Sequence, residues 1–439
     1  MMNIRQSFFT SNRAVEKTYV SAEQEHMLQC CSDADYSPLL DAIEQIEQKT
    51  SLQLNASRLH RLDWQIDGEF LLAQLHPEVL KAVLANELPQ RICGGDLSME
   101  VRIPGDLQNA EFDPGIYINY IAGKSGKGVP IDDFPLFLLQ LERAVGIPEV
   151  VKVPGASFTS KSLWQKLDFE YRKRRSQGTL NQRKLSEQLA SGVTRLREQV
   201  RRFVDYNFHT VLPHAKAQGV SHIAIRGEVG LSKQTWKRCE QHKAISESSP
   251  ALFRLVQMML FCQYPNEGWA LRQVIIFTIV RASQAEIGET IASILCAAYG
   301  SVGGVNFAQP GISANEIASM GATQWKDVAN LSVAKGFLRH VKNNMERAIA
   351  TTQDKIDNIR QQIEKDEMLR EVARMQEELR KLDVPTRMAE LHQSAARVES
   401  LLGRLQQAYR EAEKDEEIFQ RRVTSLLELK HALDEALKE

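Results

Sequence analysis

Residues 388–437 read MAELHQSAARVESLLGRLQQAYREAEKDEEIFQRRVTSLLELKHALDEAL, and their apolar or tolerated side chains recur on alternating steps of three and four. The row runs through Met388, Leu391, Ala395, Val398, Leu402, Leu405, Tyr409, Ala412, Phe419, Val423, Leu426, Leu433 and Leu437, with lapses only at Glu416 and Lys430. A phase kept this long is the signature of a coiled-coil helix. The preceding stretch keeps it less strictly, through Val341, Met345, Ala348, Thr352, Ile356, Ile359 and Ile363, then Met368, Val372, Met375, Leu379 and Leu382. The step at Thr352 and the gap near Asp366 read as stutters that locally change the supercoil. Between the arms stands Asp383-Val384-Pro385-Thr386. Pro385 breaks an uninterrupted helix and Asp383 or Thr386 can cap the next, so the second arm is expected to fold back on the first. Residues 338–439 thus read as an antiparallel coiled-coil hairpin with its turn at 383–386, each arm projecting on the order of 65–75 Å. Its outer positions are rich in Glu, Arg and Lys, as in a solvated lever. An exposed seam would imply a partner helix.

The chain has 439 residues, 43% of them hydrophobic, which is enough for about two or three domains. A formal net charge of -1 conceals two unlike regions. Residues 1–160 hold 13 Lys/Arg against 22 Asp/Glu, whereas residues 161–243 hold 18 against 7. The first 20 residues carry Arg5, Arg13, Glu16 and Lys17 without an apolar stretch of signal-peptide length, so export by that route is not expected. The longest apolar run, Val274 to Val280, is flanked by Arg272 and Arg281 and is far short of a membrane span. Six dispersed cysteines fit free thiols in a reducing, cytoplasmic setting.

Residues 1–155 read as an acidic α+β domain. Ser37 to Thr50, Pro77 to Asn86 and Asp132 to Val145 have helical spacing, while Leu62 to Leu72, Leu97 to Ile103 and Gly115 to Ile121 are strand candidates. Pro148 to Ser160 reads as a linker. Residues 161–335 read as a basic all-α domain: a long helix from Asn181 to Phe208 with Leu185, Leu189, Val193, Leu196, Val200 and Phe203 on one stripe, then apolar helices at Leu252 to Cys262, Trp269 to Arg281 and Ala285 to Tyr299. The fold class expected is mainly α: an N-terminal α+β domain, a basic all-α middle domain and the C-terminal hairpin.

Within the middle region, residues 221–242, SHIAIRGEVGLSKQTWKRCEQH, resemble a DNA-binding helix-turn-helix. On that resemblance Ile225 and Val229 face inward, Gly230 makes the turn and Ser232 caps a second helix packed through Trp236 and Cys239. Lys233, Gln234, Lys237 and Arg238 would then point outward to phosphates and base edges. Arg226 departs from the pattern, standing where a small residue is usual, and Gly227 weakens the first helix. The other reading is a plain helical turn in a basic domain. Arg172-Lys173-Arg174-Arg175, followed by Arg183, Lys184, Arg195, Arg197, Arg201 and Arg202, suits either the phosphates of nucleic acid or an acidic protein surface.

Signals for chemistry are weak. Ala122-Gly-Lys-Ser-Gly-Lys-Gly128 lacks a phosphate-loop lysine, because Val129 and Pro130 stand where Lys and Ser/Thr are required. Cys239, His242 and His222 make a poor zinc set, and the acid pairs Asp132–Asp133 and Asp63 with Asp67 read as caps and turn residues. No metal, cofactor or catalytic residue is expected. The first expectation is therefore a non-enzymatic cytoplasmic protein that grips DNA through residues 161–243 and docks partner proteins through its hairpin. Such a layout suits a multi-protein system of genome maintenance or of defence against foreign DNA. The alternatives are a protein-only scaffold and, since two apolar helices before long coiled-coil arms resemble in outline the α-helical pore-forming toxins, a pore-former. Arg272, Arg281 and Glu286 speak against that last reading.

Overall fold

The computed structural model describes residues 15–31, 36–49, 61–97, 100–107, 112–154, 159–174, 183–190, 192–246, 249–307, 314–334, 339–382 and 388–436. The chain is mainly helical with a small antiparallel sheet, and it divides into two compact units, residues 1–341 and 342–439.

The first unit is organised around one strand. β1 (Gly115–Ala122) is buried along its whole length because it is the middle strand, with β4 (Glu228–Ser232) and β5 (Ala270–Thr278) antiparallel on its two sides. A strand covered on both faces needs no polar alternation, and its sequence GIYINYIA is apolar but for Asn119. One face carries Ile116, Ile118 and Tyr120. Here α13 (Gln284–Leu295) closes in, and the Tyr120 hydroxyl lies 3.8 Å from Cys296 Sγ. The other face carries Tyr117 and Asn119, beneath α11 (Thr235–Lys243). A two-stranded pair, β2 (Val129–Pro130) with β3 (His222–Ile223), lies apart from this sheet.

The helices expected at residues 37–50, 77–86, 132–145, 252–262 and 285–299 form as α2 (Ser37–Lys49), α4 (Pro77–Leu84), α6 (Phe134–Val145), α12 (Ala251–Gln263) and α13. Elsewhere the structure corrects the reading. The stretch 62–72 is not a strand but lies in α3 (Arg61–Ala73), and of the strand expected at 97–103 the described residues form a bridge from Arg102 to Ile275, residues 98–99 lying outside them. The segment 269–281 is no helix. Its β-branched run Val274-Ile275-Ile276 enters the sheet as β5. That leaves no apolar helical hairpin of the pore-forming kind, and no helix among the described residues is long and apolar enough to cross a membrane. The helix expected from 181 to 208 is interrupted at Gly192 into α8 (Leu185–Ala190) and α9 (Val193–Tyr206), and Val193 leaves the apolar stripe for the surface.

A boundary near residues 155–161 does not divide this fold, and the middle region is not all-α. β1 comes from one side of that boundary and β4 and β5 from the other. A single core joins Phe134 and Phe137 to Phe203, Met258 and Leu260. Asp67, on α3, accepts hydrogen bonds from Arg281 Nε at 2.6 Å and Gln284 Nε2 at 3.2 Å, which explains its carboxylate without chemistry.

In the second unit the two long helices are α16 (Arg339–Leu382), which begins just before the division, and α17 (Met388–Ala436). Lys355 lies over the Phe419 ring, Arg360 Nε bonds Glu416 at 3.3 Å and Arg370 lies over Tyr409. Positions rise on one arm as they fall on the other, so the arms are antiparallel, as a hairpin requires. The turn at 383–386 lies outside the described residues. Met345, Ala348, Thr352, Ile356 and Val423 are buried, whereas Met368, Val372, Met375, Val398 and Leu402 are exposed. The seam closes at one end and lies open toward the other.

Candidate functional site

The helix-turn-helix expected at 221–242 is not formed. Its first half is extended, as β3 and β4, and only its second half is helical, as α11. The glycines explain why. Gly230 pairs with Tyr117 in the ladder rather than making a turn, and a Cβ on it would sit 2.2 Å from the Tyr117 hydroxyl. Arg226, the residue that departs from the motif, is buried between the rings of Tyr19 and Tyr206, whose centroids lie 6.0 and 5.9 Å from its guanidinium carbon.

α11 nevertheless presents its cations, and its position is set from outside its own sequence. Asp113, just before β1, accepts a hydrogen bond from the Trp236 backbone N–H at 2.7 Å, and its carbonyl accepts one from Thr235 Oγ1 at 2.6 Å. A carboxylate at the first turn meets the positive end of the helix dipole. Burial outweighs these bonds and pushes the Asp113 carboxyl up to about 7.

Beneath α11 a row of polar side chains crosses the sheet. The register places Asn119 opposite Glu228 on one side and opposite Gln273 on the other. Gln273 Nε2 donates to Asn119 Oδ1 at 2.8 Å and to the Cys239 carbonyl at 2.9 Å, and Asn119 Nδ2 donates to Glu228 Oε2. His242 lies alongside, Nε2 at 3.1 Å from the Tyr117 hydroxyl and Nδ1 at 2.9 Å from Ser249 Oγ. Burial, with the Arg238 charge adding to it, lowers His242 to about 3. The imidazole is therefore neutral near pH 7, and its 4.0 Å approach to Glu228 is not an ion pair. Burial raises Glu228 to about 7 against the opposing pull of the Asn119 hydrogen bond and the Arg238 charge.

Glu228 and Tyr117 line a groove of about 710 Å³. Arg195 and Gln199 of α9, Lys233, Gln234, and Lys237, Arg238 and Gln241 of α11 surround it, with Phe307 beside them. Arg238 Nη1 donates to Gln241 Oε1 at 3.2 Å. Carboxylates also face the groove, Glu289 from α13 and Glu316 from α14 (Ala314–Ala318).

The structure thus brings together Arg195, Lys233, Gln234, Lys237 and Arg238, and leaves the other expected contacts elsewhere. Arg172, Lys173 and Arg174 lie in the last turn of α7 (Ser160–Arg174), where Lys173 and Arg174 pair with Glu170 at 3.6 and 3.5 Å and Arg174 stacks 3.8 Å over Phe261. Arg175 lies outside the described residues. Arg183 and Lys184 are exposed before α8, with Lys184 3.7 Å from Glu187. Arg201 and Arg202 are exposed on α9, with Arg202 2.8 Å from Glu198. Arg197 donates to the Val145 carbonyl at 2.7 Å. His222 meets Glu16 at 3.3 Å, outside the groove's lining, so it does not join Cys239 and His242. The loop 122–128 is pinned as well: Lys127 pairs with Glu16, and Gly126 adopts a φ of 81° against the Pro89 carbonyl.

The chain matches no family model, no curated protein and no solved structure. Its chemistry has to be argued from this groove. Sequence reading missed Glu228, Asn119, Gln273 and Tyr117. One signal was available, the lone Asn119 inside an apolar strand, since a polar side chain in such a place needs partners.

Proposed function

We propose that this protein binds nucleic acid without transforming it, holding an unpaired stretch of strand in the groove between α9, β4 and α11. The observation that carries this reading is the convergence of Arg195 from α9 and of Lys233, Lys237 and Arg238 from the β4–α11 stretch on one concave surface with Phe307 in it. A cationic groove that tracks phosphates, with a π-face for stacking, is what single-strand binding uses. A duplex is a convex rod and presents its base edges only within its own grooves, which a concave floor does not reach. The hairpin serves as the docking arm for partner proteins. In support, Met368, Val372, Met375, Val398 and Leu402 leave apolar surface uncovered along its seam. A cytoplasmic component of a multi-protein system acting on DNA, in genome maintenance or defence against foreign DNA, fits this pairing of grip and arm.

The test compares labelled single-stranded and duplex DNA of one random sequence at 50 mM salt. Tighter binding of the single strand supports the groove. Equal or tighter duplex binding, unaffected by K233E/K237E, removes it and moves nucleic acid to the outer basic surfaces. No binding of either leaves the protein-only scaffold.

A further inference from the structure

We infer that the floor of this groove selects guanine, with the Glu228 carboxylate taking the two N–H donors of the base's Watson–Crick edge while the rim cations hold the flanking phosphates. This rests on the nucleic-acid reading above and adds to it a chemical reason for choosing one base.

Glu228 is 4% exposed, yet it lines the groove. Oε2 accepts one hydrogen bond, from Asn119, itself fixed by Gln273, and keeps a second lone pair, so the carboxyl is held in one orientation by a relay across all three strands. Oε1 makes no hydrogen bond among the described residues. A buried acid is costly unless its acceptors are used. A structural role is a poor explanation of the cost, because glutamine fits the same volume and keeps an oxygen for Asn119 without burying a charge. An acceptor left at the bottom of a cleft calls for a donor from the ligand.

The rim limits what that donor can be. Arg195, Lys233, Lys237 and Arg238 outnumber the carboxylates Glu289 and Glu316 around the groove, a balance that disfavours a cationic peptide and favours an anion. A ligand that is anionic at its edge and offers N–H groups at its centre is a nucleotide. Among the bases, guanine presents two parallel donors, N1–H and the N2 amino group, to the two oxygens of a carboxylate. Adenine and cytosine place a ring acceptor beside their amino group, which an ionised carboxylate repels, and thymine offers one donor between two acceptors. Burial of Glu228 holds its carboxyl near 7, so it is anionic at pH 8. The titratable groups packed round it are Tyr117, Arg238, Cys239 and His242.

The experiment uses the full chain at pH 8 and 50 mM salt with labelled thymidine octanucleotides whose two central positions are guanine, adenine, cytosine or thymine. The guanine octamer is expected to bind about tenfold more tightly than the others, the scale of a bidentate base contact. Inosine, which lacks the N2 amino group, should lose part of that advantage. In Glu228→Gln the preference should collapse, read as the ratio of the guanine-octamer to the all-thymidine-octamer affinity on the same variant protein. Four wild-type affinities within a factor of two would overturn the inference and leave the groove reading intact. Absence of binding by every octamer would sink both. The base series and inosine are measured on the wild-type chain, so the outcome does not depend on how well the variant folds.

Discussion

Lys233, Lys237 and Arg238 form one basic triplet of this molecule and Arg172, Lys173 and Arg174 another, and their surroundings differ. The second triplet is dense in sequence, closes the last turn of α7, pairs there with Glu170 and stacks on Phe261. Cations at a helix C-terminus meet its negative end, so the helix itself accounts for them. The first triplet is sparser and stands over a floor of buried polar groups drawn from three strands. Lys233 and Lys237 have no ion pair among the described residues. On the proposed function, what marks the binding surface is lysines such as these, set above acceptors that folding has already desolvated, rather than local charge density.

This contrast can be broken most sharply by charge reversal. K233E/K237E is expected to weaken single-strand binding by roughly a hundredfold at 50 mM salt and to lower the salt slope by about 0.7 for each phosphate no longer neutralised. A fluorescence titration at several salt concentrations checks both numbers. An unchanged slope would show that these lysines touch no phosphate.

Next in size is the cost of the buried acid. Glu228 rises from 4.5 to about 7 on folding, so between those values the folded chain keeps a proton that the unfolded chain has released, and stability falls as pH rises through the window. His242 acts oppositely. It is held down from 6.5 to about 3, so the unfolded chain takes up a proton first and stability falls as pH drops below 6.5. The His242 slope opposes that of Glu228 between about pH 4.5 and 6.5, while Asp113, raised from 3.8 to about 7, adds a slope of the same sign as Glu228, and both continue toward 7. Glu228→Gln should therefore stabilise the protein by roughly 2–3 kcal/mol at pH 8 and change little at pH 4.5, read from denaturant unfolding at both values. Equal effects at the two pH values would mean the carboxyl is not charged in the folded state at pH 8.

A smaller effect concerns what holds α11 in place. Near pH 4, where the raised Asp113 carboxyl costs little by ionisation, Asp113→Ala removes the acceptor for the Trp236 N–H and is expected to cost about 1–2 kcal/mol. Single-strand binding should also weaken, since the helix carries Lys237 and Arg238. Destabilisation without any loss of binding would show that α11 keeps its place without this cap. Smallest of all is reversal at the other triplet. R172E/K173E should change single-strand affinity by less than about threefold and stability by no more than about 1 kcal/mol. A loss matching that of K233E/K237E would erase the distinction between the two surfaces.

The long arms were legible because a heptad repeat is a local pattern sustained over many turns, and Met345, Ala348, Thr352 and Ile356 are buried in the order the repeat gives. The sheet was legible only in its middle strand. β5 was read as a helix because a short apolar run has no period to separate strand from buried helix. β4 was read as the end of one helix, a turn at Gly230 and the cap of the next, with Gly227 a weak point in the first helix, whereas the missing side chains of Gly227 and Gly230 admit Ile118 and Tyr117 of the neighbouring strand. Of the groove, Lys233, Lys237 and Arg238 were singled out by the resemblance of residues 221–242 to a helix-turn-helix, a fold that did not form, and Arg195 by the basic run it belongs to. The floor was not, since Asn119, Glu228 and Gln273 are made neighbours only by strand register.

The most direct test of the groove as a nucleic-acid site is the anisotropy of a labelled random single strand titrated with the full chain from about 50 to 200 mM salt, for the wild type and K233E/K237E side by side. Tight wild-type binding that falls steeply with salt, together with a weaker and flatter response in the variant, is the result this account requires. Identical curves for the two proteins, or no binding by the wild type at the lowest salt, would contradict it.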